Sequence, residues 1–124
     1  MMFDILMVGL GGFIGAIMRF WVAGTVQRAL GITWPIGTFT VNILGCFIIG
    51  YLSQMAETRE WLTFEMRLFM VTGFLGAFTT FSTFGNETVS LLQRSQSISA
   101  LAYVGLHLLV GLSAVWLGQL VAGR

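Results

Sequence analysis

The residues that could do chemistry in this chain are a few polar side chains set within long apolar stretches. Asn42 shares one face of a predicted helix with Thr38 and Cys46, and its amide offers two donors and an acceptor. An amide in that position serves either an interhelical hydrogen bond or a bound or permeating anion, and the sequence leaves both open. Arg19 lies inside the first apolar stretch, which makes it a candidate for an anion-attracting vestibule or for a structural anchor.

The third apolar stretch contains the most informative segment, GFLGAFTTFSTFGNE at 73–87. At about 100° per residue, one arc of this helix is polar and the opposite stripe is aromatic. The polar arc holds Thr72, Thr79, Thr83, Glu87 and Ser90, and the stripe holds Phe74, Phe78 and Phe81. The stripe predicts packing; ring edges turned toward a small anion are the less favoured interpretation.

The same segment predicts a helix that is broken near the middle of the membrane. Gly73, Gly76 and the Thr79–Thr80 pair all weaken helical order. A break frees backbone carbonyls, which need a partner at membrane depth, and a bound cation is a suitable one. Such oxygens are plausible ligands for either Na⁺ or K⁺.

Other kinds of chemistry are excluded by the residue inventory. The chain has one cysteine and one histidine, so it cannot form an intrachain disulfide or a CxxC or histidine-cluster metal site. We expect His107 to be an interior, hydrogen-bonded residue. The sequence has no nucleophile–base pair and no phosphate-binding loop after a strand, so we predict that the chain is not an enzyme.

Length and composition define the elements that must position these residues. Of 124 residues, 56% are hydrophobic and 9% are charged, with a net charge of +1. This composition excludes a soluble domain and a nucleic-acid binder, and indicates an all-α integral membrane protein in the lipid bilayer. We predict a single domain over 1–124 with four transmembrane helices, roughly 3–28, 35–55, 63–93 and 98–122.

The distribution of arginine predicts an unusual assembly. Arg59, Arg67 and Arg124 belong to one side of the membrane, and Arg28 and Arg94 to the other. Three against two is almost no bias, so the chain has little preference for either orientation. We therefore expect a dual-topology, antiparallel homodimer, which is an inverted repeat built from separate chains.

Three motifs then suggest a family. GGFIGAIMRF at 11–20, PIGTFTVNILG at 35–45 and GFLGAFTTFSTF at 73–84 resemble, in this order, the Fluc/CrcB family of fluoride ion channels. The resemblance implies passive export of fluoride through two pores of an antiparallel dimer in the bacterial inner (plasma) membrane, which lowers fluoride toxicity. The chain departs from the family pattern at Ala77, often a glycine, and at His107, commonly a small hydroxyl residue.

The resemblance also implies roles for individual residues. Phe81 and Phe84 match positions that present ring edges to fluoride, and Gly76 and Thr79 match positions whose carbonyls hold a structural Na⁺ at the dimer interface. The ion pathway implied in this way comprises Asn42, Phe81, Phe84, Ser82, Thr83, Tyr103 and Arg19.

Two alternatives remain at this point. The first is a small dual-topology, proton-coupled cation or multidrug exporter, which needs an intramembrane carboxylate in its first helix. Here the first helix has only Asp4, at its end, and Glu87 is the sole candidate elsewhere. The second is a non-transporting assembly protein held by the Gly11–Gly15 GxxxG motif, although such a protein would not explain the polar arc.

Overall fold

The fold is known from a computed structural model, which describes residues 1–58 and 62–124. Within these residues it is all-helical, with four spans long and apolar enough to cross a membrane. Three spans are single helices: α1 (Met2–Leu30), α2 (Ile36–Thr58) and α6 (Ser97–Ala122). The third is composite, with α3 (Phe64–Arg67), a π-helix (Leu68–Leu75), α4 (Gly76–Phe78) and α5 (Phe81–Gln93).

The prediction of an all-α membrane protein with four spans is therefore confirmed for the described residues. The helix ends differ slightly from those predicted, since α2 continues to Thr58 rather than ending at residue 55. Arg59, part of the charge comparison, lies outside the described residues.

The turn between α1 and α2 is held by one side chain. α1 ends at Gly31, whose φ of 59° is left-handed and suits glycine because it has no Cβ. The Gln27 amide then donates to the carbonyls of Ile32 at 2.7 Å and Trp34 at 3.1 Å. Its oxygen accepts from the Gly37 N–H. These bonds join the end of α1 to the start of α2.

Glycines bring α1 against the third span. A Cβ on Gly11 would overlap the Phe69 carbonyl oxygen, and a Cβ on Gly15 would overlap that of Phe74. Small residues at this spacing let two backbones approach closely. The GxxxG motif therefore packs within the chain, onto the π-helix, and does not need a second copy to explain it.

α2 and α6 also approach closely, through one glycine from each helix. Gly50 of α2 lies against the Val115 carbonyl, and Gly118 of α6 lies against the Phe47 carbonyl. This contact packs the two helices side by side along their length. It places Asn42 on α2 beside His107 on α6.

The third span changes conformation in its middle. Thr79 (φ −89°, ψ 162°) and Thr80 (φ −154°, ψ 113°) are extended, and we call these two residues the break. The Thr80 hydroxyl caps α5 by accepting from the Thr83 N–H at 3.2 Å, as an N-cap residue does. The polar arc and the aromatic stripe were predicted for one continuous helix, and the break interrupts both of them along their length.

The predicted stripe of three phenylalanines is consequently wrong for its last member. Phe74 and Phe78 stack with ring centroids 5.5 Å apart, but Phe81 pairs with Phe84 at 5.6 Å. Phe78 is buried, whereas Phe81 is 83% exposed in the single chain. The reason is the break, which turns α5 relative to the helix that precedes it.

Candidate functional site

Asn42 bridges the break with its side-chain amide. The Thr80 N–H donates to Asn42 Oδ1 at 2.8 Å, and Asn42 Nδ2 donates to the Thr80 carbonyl at 3.1 Å. Thr80 is only 9% exposed, so both backbone groups would otherwise lack a partner. Of the two interpretations left open for Asn42, the interhelical hydrogen bond is present; a role in an ion pathway stays a prediction.

The second N–H of the Asn42 amide faces α6. Asn42 Nδ2 lies 3.3 Å from His107 Nε2, and His107 Nδ1 lies 3.0 Å from the Tyr103 carbonyl oxygen. The prediction that His107 is hydrogen-bonded is thereby confirmed, although the side chain is only half-buried and borders a groove rather than lying in the interior. The contact between Asn42 and His107 does not follow from the sequence, because it depends on how closely α2 and α6 pack.

The break leaves backbone carbonyls without their helical partners. In a continuous helix the Thr80 N–H would donate to the Gly76 carbonyl, but here it donates to Asn42. The extended Thr79 directs its carbonyl toward α1, where Arg19 Nη1 lies 3.5 Å away. Arg19 therefore has a partner within the protein, in agreement with an anchoring role; a vestibule role stays a prediction.

Aromatic rings line α5 and α6 next to the break. Phe84 lies 4.5 Å from His107 and 5.4 Å from Tyr103, measured between ring centroids. The neighbouring Ser82 and Thr83 are exposed in the single chain, and their hydroxyls contact that of Thr80 at 3.3 Å and 2.9 Å. Two aromatic rings and two hydroxyl groups thus lie in the first turn of α5, next to the break.

An open groove of about 440 Å³ runs along the break. It brings together six residues of interest from three spans: Asn42, Gly76, Thr79, Phe81, Phe84 and His107. Five of the nine residues implied by the family resemblance therefore meet at one place: Asn42, Gly76, Thr79, Phe81 and Phe84. Arg19, Ser82, Thr83 and Tyr103 lie outside its lining, and Tyr103 is fully buried.

Tyr103 belongs to a hydrogen-bonded group around Glu87. The Tyr103 hydroxyl donates to Glu87 Oε2 at 2.6 Å, and the Thr38 hydroxyl donates to Glu87 Oε1 at 2.8 Å. Trp34 packs edge-on against the Tyr103 ring at 5.0 Å. Both carboxylate oxygens are thus satisfied by hydroxyl groups from neighbouring helices.

Sequence reasoning missed the pairing of Thr80 with Asn42 and the hydrogen bonds that join Thr38 and Tyr103 to Glu87. The Thr79–Thr80 pair was a visible signal of weak helical order, but nothing in the sequence paired Thr80 with Asn42. Within residues 1–58 and 62–124, no three His, Cys, Asp or Glu side chains converge on one point. A cation held by the carbonyls of Gly76 and Thr79 stays a prediction.

Comparisons with known proteins agree with the sequence motifs. The family described as "CrcB-like protein, Camphor Resistance (CrcB)" matches residues 6–119. A protein of Nitratidesulfovibrio vulgaris named fluoride-specific ion channel FluC is 44% identical over 114 residues, which cover 92% of each chain. Relatives with the same name are 43% identical in Acidobacterium capsulatum, covering 96% of this chain and 95% of theirs, and in Methylobacillus flagellatus, covering 94% and 92%. The break and its groove thus lie within the matched region, and the chain belongs to the CrcB family.

Proposed function

We propose that this multi-pass membrane protein is a fluoride-selective channel, which lets fluoride leave the cell passively and so lowers its toxicity. The observation that carries the proposal is the similarity, over more than nine-tenths of the chain, to relatives named fluoride-specific ion channels. Because these relatives are channels, the prediction that the chain is not an enzyme is confirmed. The bacterial relatives support a location in the inner membrane.

The chemistry of the groove and of the adjoining first turn of α5 supports fluoride as the ion. Fluoride holds its hydration shell tightly, so a pathway must replace water with many weak donors rather than one strong charge. Phe81 and Phe84 supply electropositive ring edges, and Ser82 and Thr83 supply hydroxyl groups. The chain has no lysine. Asn42 and Tyr103 contribute by fixing the walls, since their donors are engaged with neighbouring groups.

An antiparallel homodimer with two pores completes the proposal. Phe81, Ser82 and Thr83 are exposed in the middle of a membrane span, where lipid gives hydroxyl groups no partner. The nearly equal division of arginine between the two sides lets two copies insert in opposite orientations. A second copy placed against the groove would cover these residues and supply the opposite wall.

We further propose that the carbonyls of Gly76 and Thr79 hold a structural Na⁺ at the dimer interface. A hard cation prefers several oxygen ligands, and one chain offers too few, so the same carbonyls of the second copy would complete the set. The Thr79 carbonyl has two lone pairs, and its contact with Arg19 is long at 3.5 Å. Neutral carbonyl oxygens favour Na⁺ or K⁺ over a transition metal.

The exporter alternative is not favoured by the structure. An exporter of this kind needs a carboxylate that is free to bind protons and cations in turn. Both oxygens of Glu87 accept hydroxyl hydrogen bonds at 2.6 and 2.8 Å. Asp4 lies at the chain end, 3.0 Å from the N-terminal ammonium group.

Ion efflux from proteoliposomes tests the proposed function. We expect rapid fluoride efflux, little chloride efflux and no transport of a lipophilic cation. Asn42→Ile, Phe81→Ile and Phe84→Ile should each abolish fluoride efflux, whereas the control Thr40→Val should retain it, since Thr40 bonds only to its own helix at Ile36. Undiminished efflux in all three isoleucine variants would contradict the assignment.

Removal of Na⁺ tests the cation site separately. Replacing Na⁺ with a large organic cation on both sides of the membrane should reduce fluoride efflux and weaken the dimer, and restoring Na⁺ should reverse both effects. Equal efflux and equal dimer content with and without Na⁺ would exclude a structural role for the ion.

A further inference from the structure

The environment of His107 determines where its proton lies. The argument begins at Asn42, whose amide orientation is set by the Thr80 backbone. The Thr80 N–H can only donate, so it must face Asn42 Oδ1, and the Thr80 carbonyl can only accept, so it must face Asn42 Nδ2. The second hydrogen of Asn42 Nδ2 is then the one directed at His107 Nε2, 3.3 Å away.

His107 Nε2 must therefore be the acceptor and carry no proton. In a neutral imidazole the other nitrogen then carries the hydrogen, and His107 Nδ1 lies 3.0 Å from the Tyr103 carbonyl oxygen, which can only accept. The opposite tautomer would set N–H against N–H at Asn42 and a lone pair against the carbonyl. Both contacts thus select the same neutral form.

Packing holds the imidazole ring in this orientation. Phe39 meets it edge-on at 5.1 Å and Tyr103 edge-on at 4.4 Å, while Phe84 lies 4.5 Å away. The ring is thus enclosed on several sides. Because these rings limit reorientation of the imidazole, a proton added to Nε2 would directly oppose the Asn42 amide.

We propose that His107 is a positioning residue for the ion pathway: neutral, with its hydrogen on Nδ1, it accepts from the Asn42 amide and so holds Asn42 across the break. This inference rests on the proposed function only in the part that concerns fluoride.

Protonation of His107 would disrupt this arrangement. With a hydrogen on both ring nitrogens, Nε2–H would oppose Nδ2–H of Asn42, so the bond between them would be lost. Asn42 would then be less firmly held against Thr80. The titratable or charged groups that face this region are Glu87 on α5, Tyr103 on α6, Cys46 on α2 and Arg19 on α1.

Nitrogen NMR tests the tautomer without reference to transport. His107 is the only histidine, so a sample labelled with ¹⁵N-histidine gives a single imidazole. In lipid at about pH 8, where an ordinary imidazole is neutral, we expect a protonated Nδ1 and an unprotonated Nε2. Asn42→Leu should remove the Nε2 hydrogen bond and shift that resonance. A proton found on Nε2 would overturn the proposal.

Fluoride efflux at different pH tests the positioning role. Between about pH 8 and about pH 4.5, a span that extends below the range in which a free imidazole titrates because the contacts of His107 favour its neutral form, wild-type efflux should fall at least about threefold. The efflux of protein-free liposomes is subtracted, because fluoride also crosses lipid as its neutral acid. His107→Gln places an acceptor the same number of bonds from Cα as His107 Nε2. Its efflux should therefore equal that of the wild type at about pH 8 and should not fall at lower pH.

His107→Leu provides the contrasting variant, because it removes the acceptor while filling the site. It should lower efflux about tenfold or more at every pH, the size expected when a buried donor loses its partner, and show no pH dependence. If wild type and His107→Gln have the same pH profile, the positioning role is wrong. If wild type carries no fluoride at any pH, the proposed function fails instead, and the NMR result still decides the tautomer.

Discussion

Asn42 is the side chain on which the conformation of the break most depends, and its replacement by leucine gives a quantitative test. Leucine has the same number and branching of side-chain heavy atoms but no polar atoms, so it would leave the Thr80 N–H and carbonyl without partners. Thr80 is 9% exposed, and both bonds are short, at 2.8 and 3.1 Å. A buried, unsatisfied backbone group costs about 1–3 kcal/mol, so the two together predict a loss of about 2–6 kcal/mol.

The measurement is reversible unfolding in mixed detergent micelles, followed by the fluorescence of the four tryptophans. All variants are compared at one protein concentration, because self-association changes apparent stability. Thr40→Val is the matched control on α2, since its hydroxyl bonds only to the Ile36 carbonyl at 2.8 Å. It should change stability by less than about 0.5 kcal/mol. A leucine variant as stable as this control would refute the conclusion that Asn42 satisfies the break.

Three further predictions use the same unfolding measurement. Gly15→Ala should destabilise the protein by about 1–3 kcal/mol because the new Cβ meets the Phe74 carbonyl; Gly9→Ala, with nothing within 4 Å, should be neutral, and equal effects would exclude close helix packing as the cause. A double-mutant cycle of Tyr103→Phe and Glu87→Gln should give a coupling of about 1–2 kcal/mol, and simple additivity would mean that the hydroxyl and carboxylate do not interact. Gln27→Ala should cost about 1–3 kcal/mol through the lost bonds of the first turn; an unchanged stability would show that water replaces them.

The sequence by itself determined the class of protein and the position of the spans. Runs of apolar residues long enough to cross a bilayer leave few alternatives, because backbone groups in lipid must be satisfied within helices. The same local rules located the weak point of the third span, since glycines and paired threonines disfavour a helix wherever they occur. The motifs at 11–20, 35–45 and 73–84 then placed the chain in its family.

Only the tertiary structure decided which polar groups meet. Asn42 and Thr80 are 38 residues apart, and Asn42 and His107 are 65 apart. The contact between Asn42 and His107 depends on how closely Gly50 and Gly118 let α2 and α6 approach, and the contact between Asn42 and Thr80 depends on the approach of α2 to the break at Gly45. Periodicity gives the face of a helix on which a residue lies but not its height against a neighbour. For this reason the partners of Asn42, the tautomer of His107 and the turn of Phe81 away from Phe78 all followed from packing.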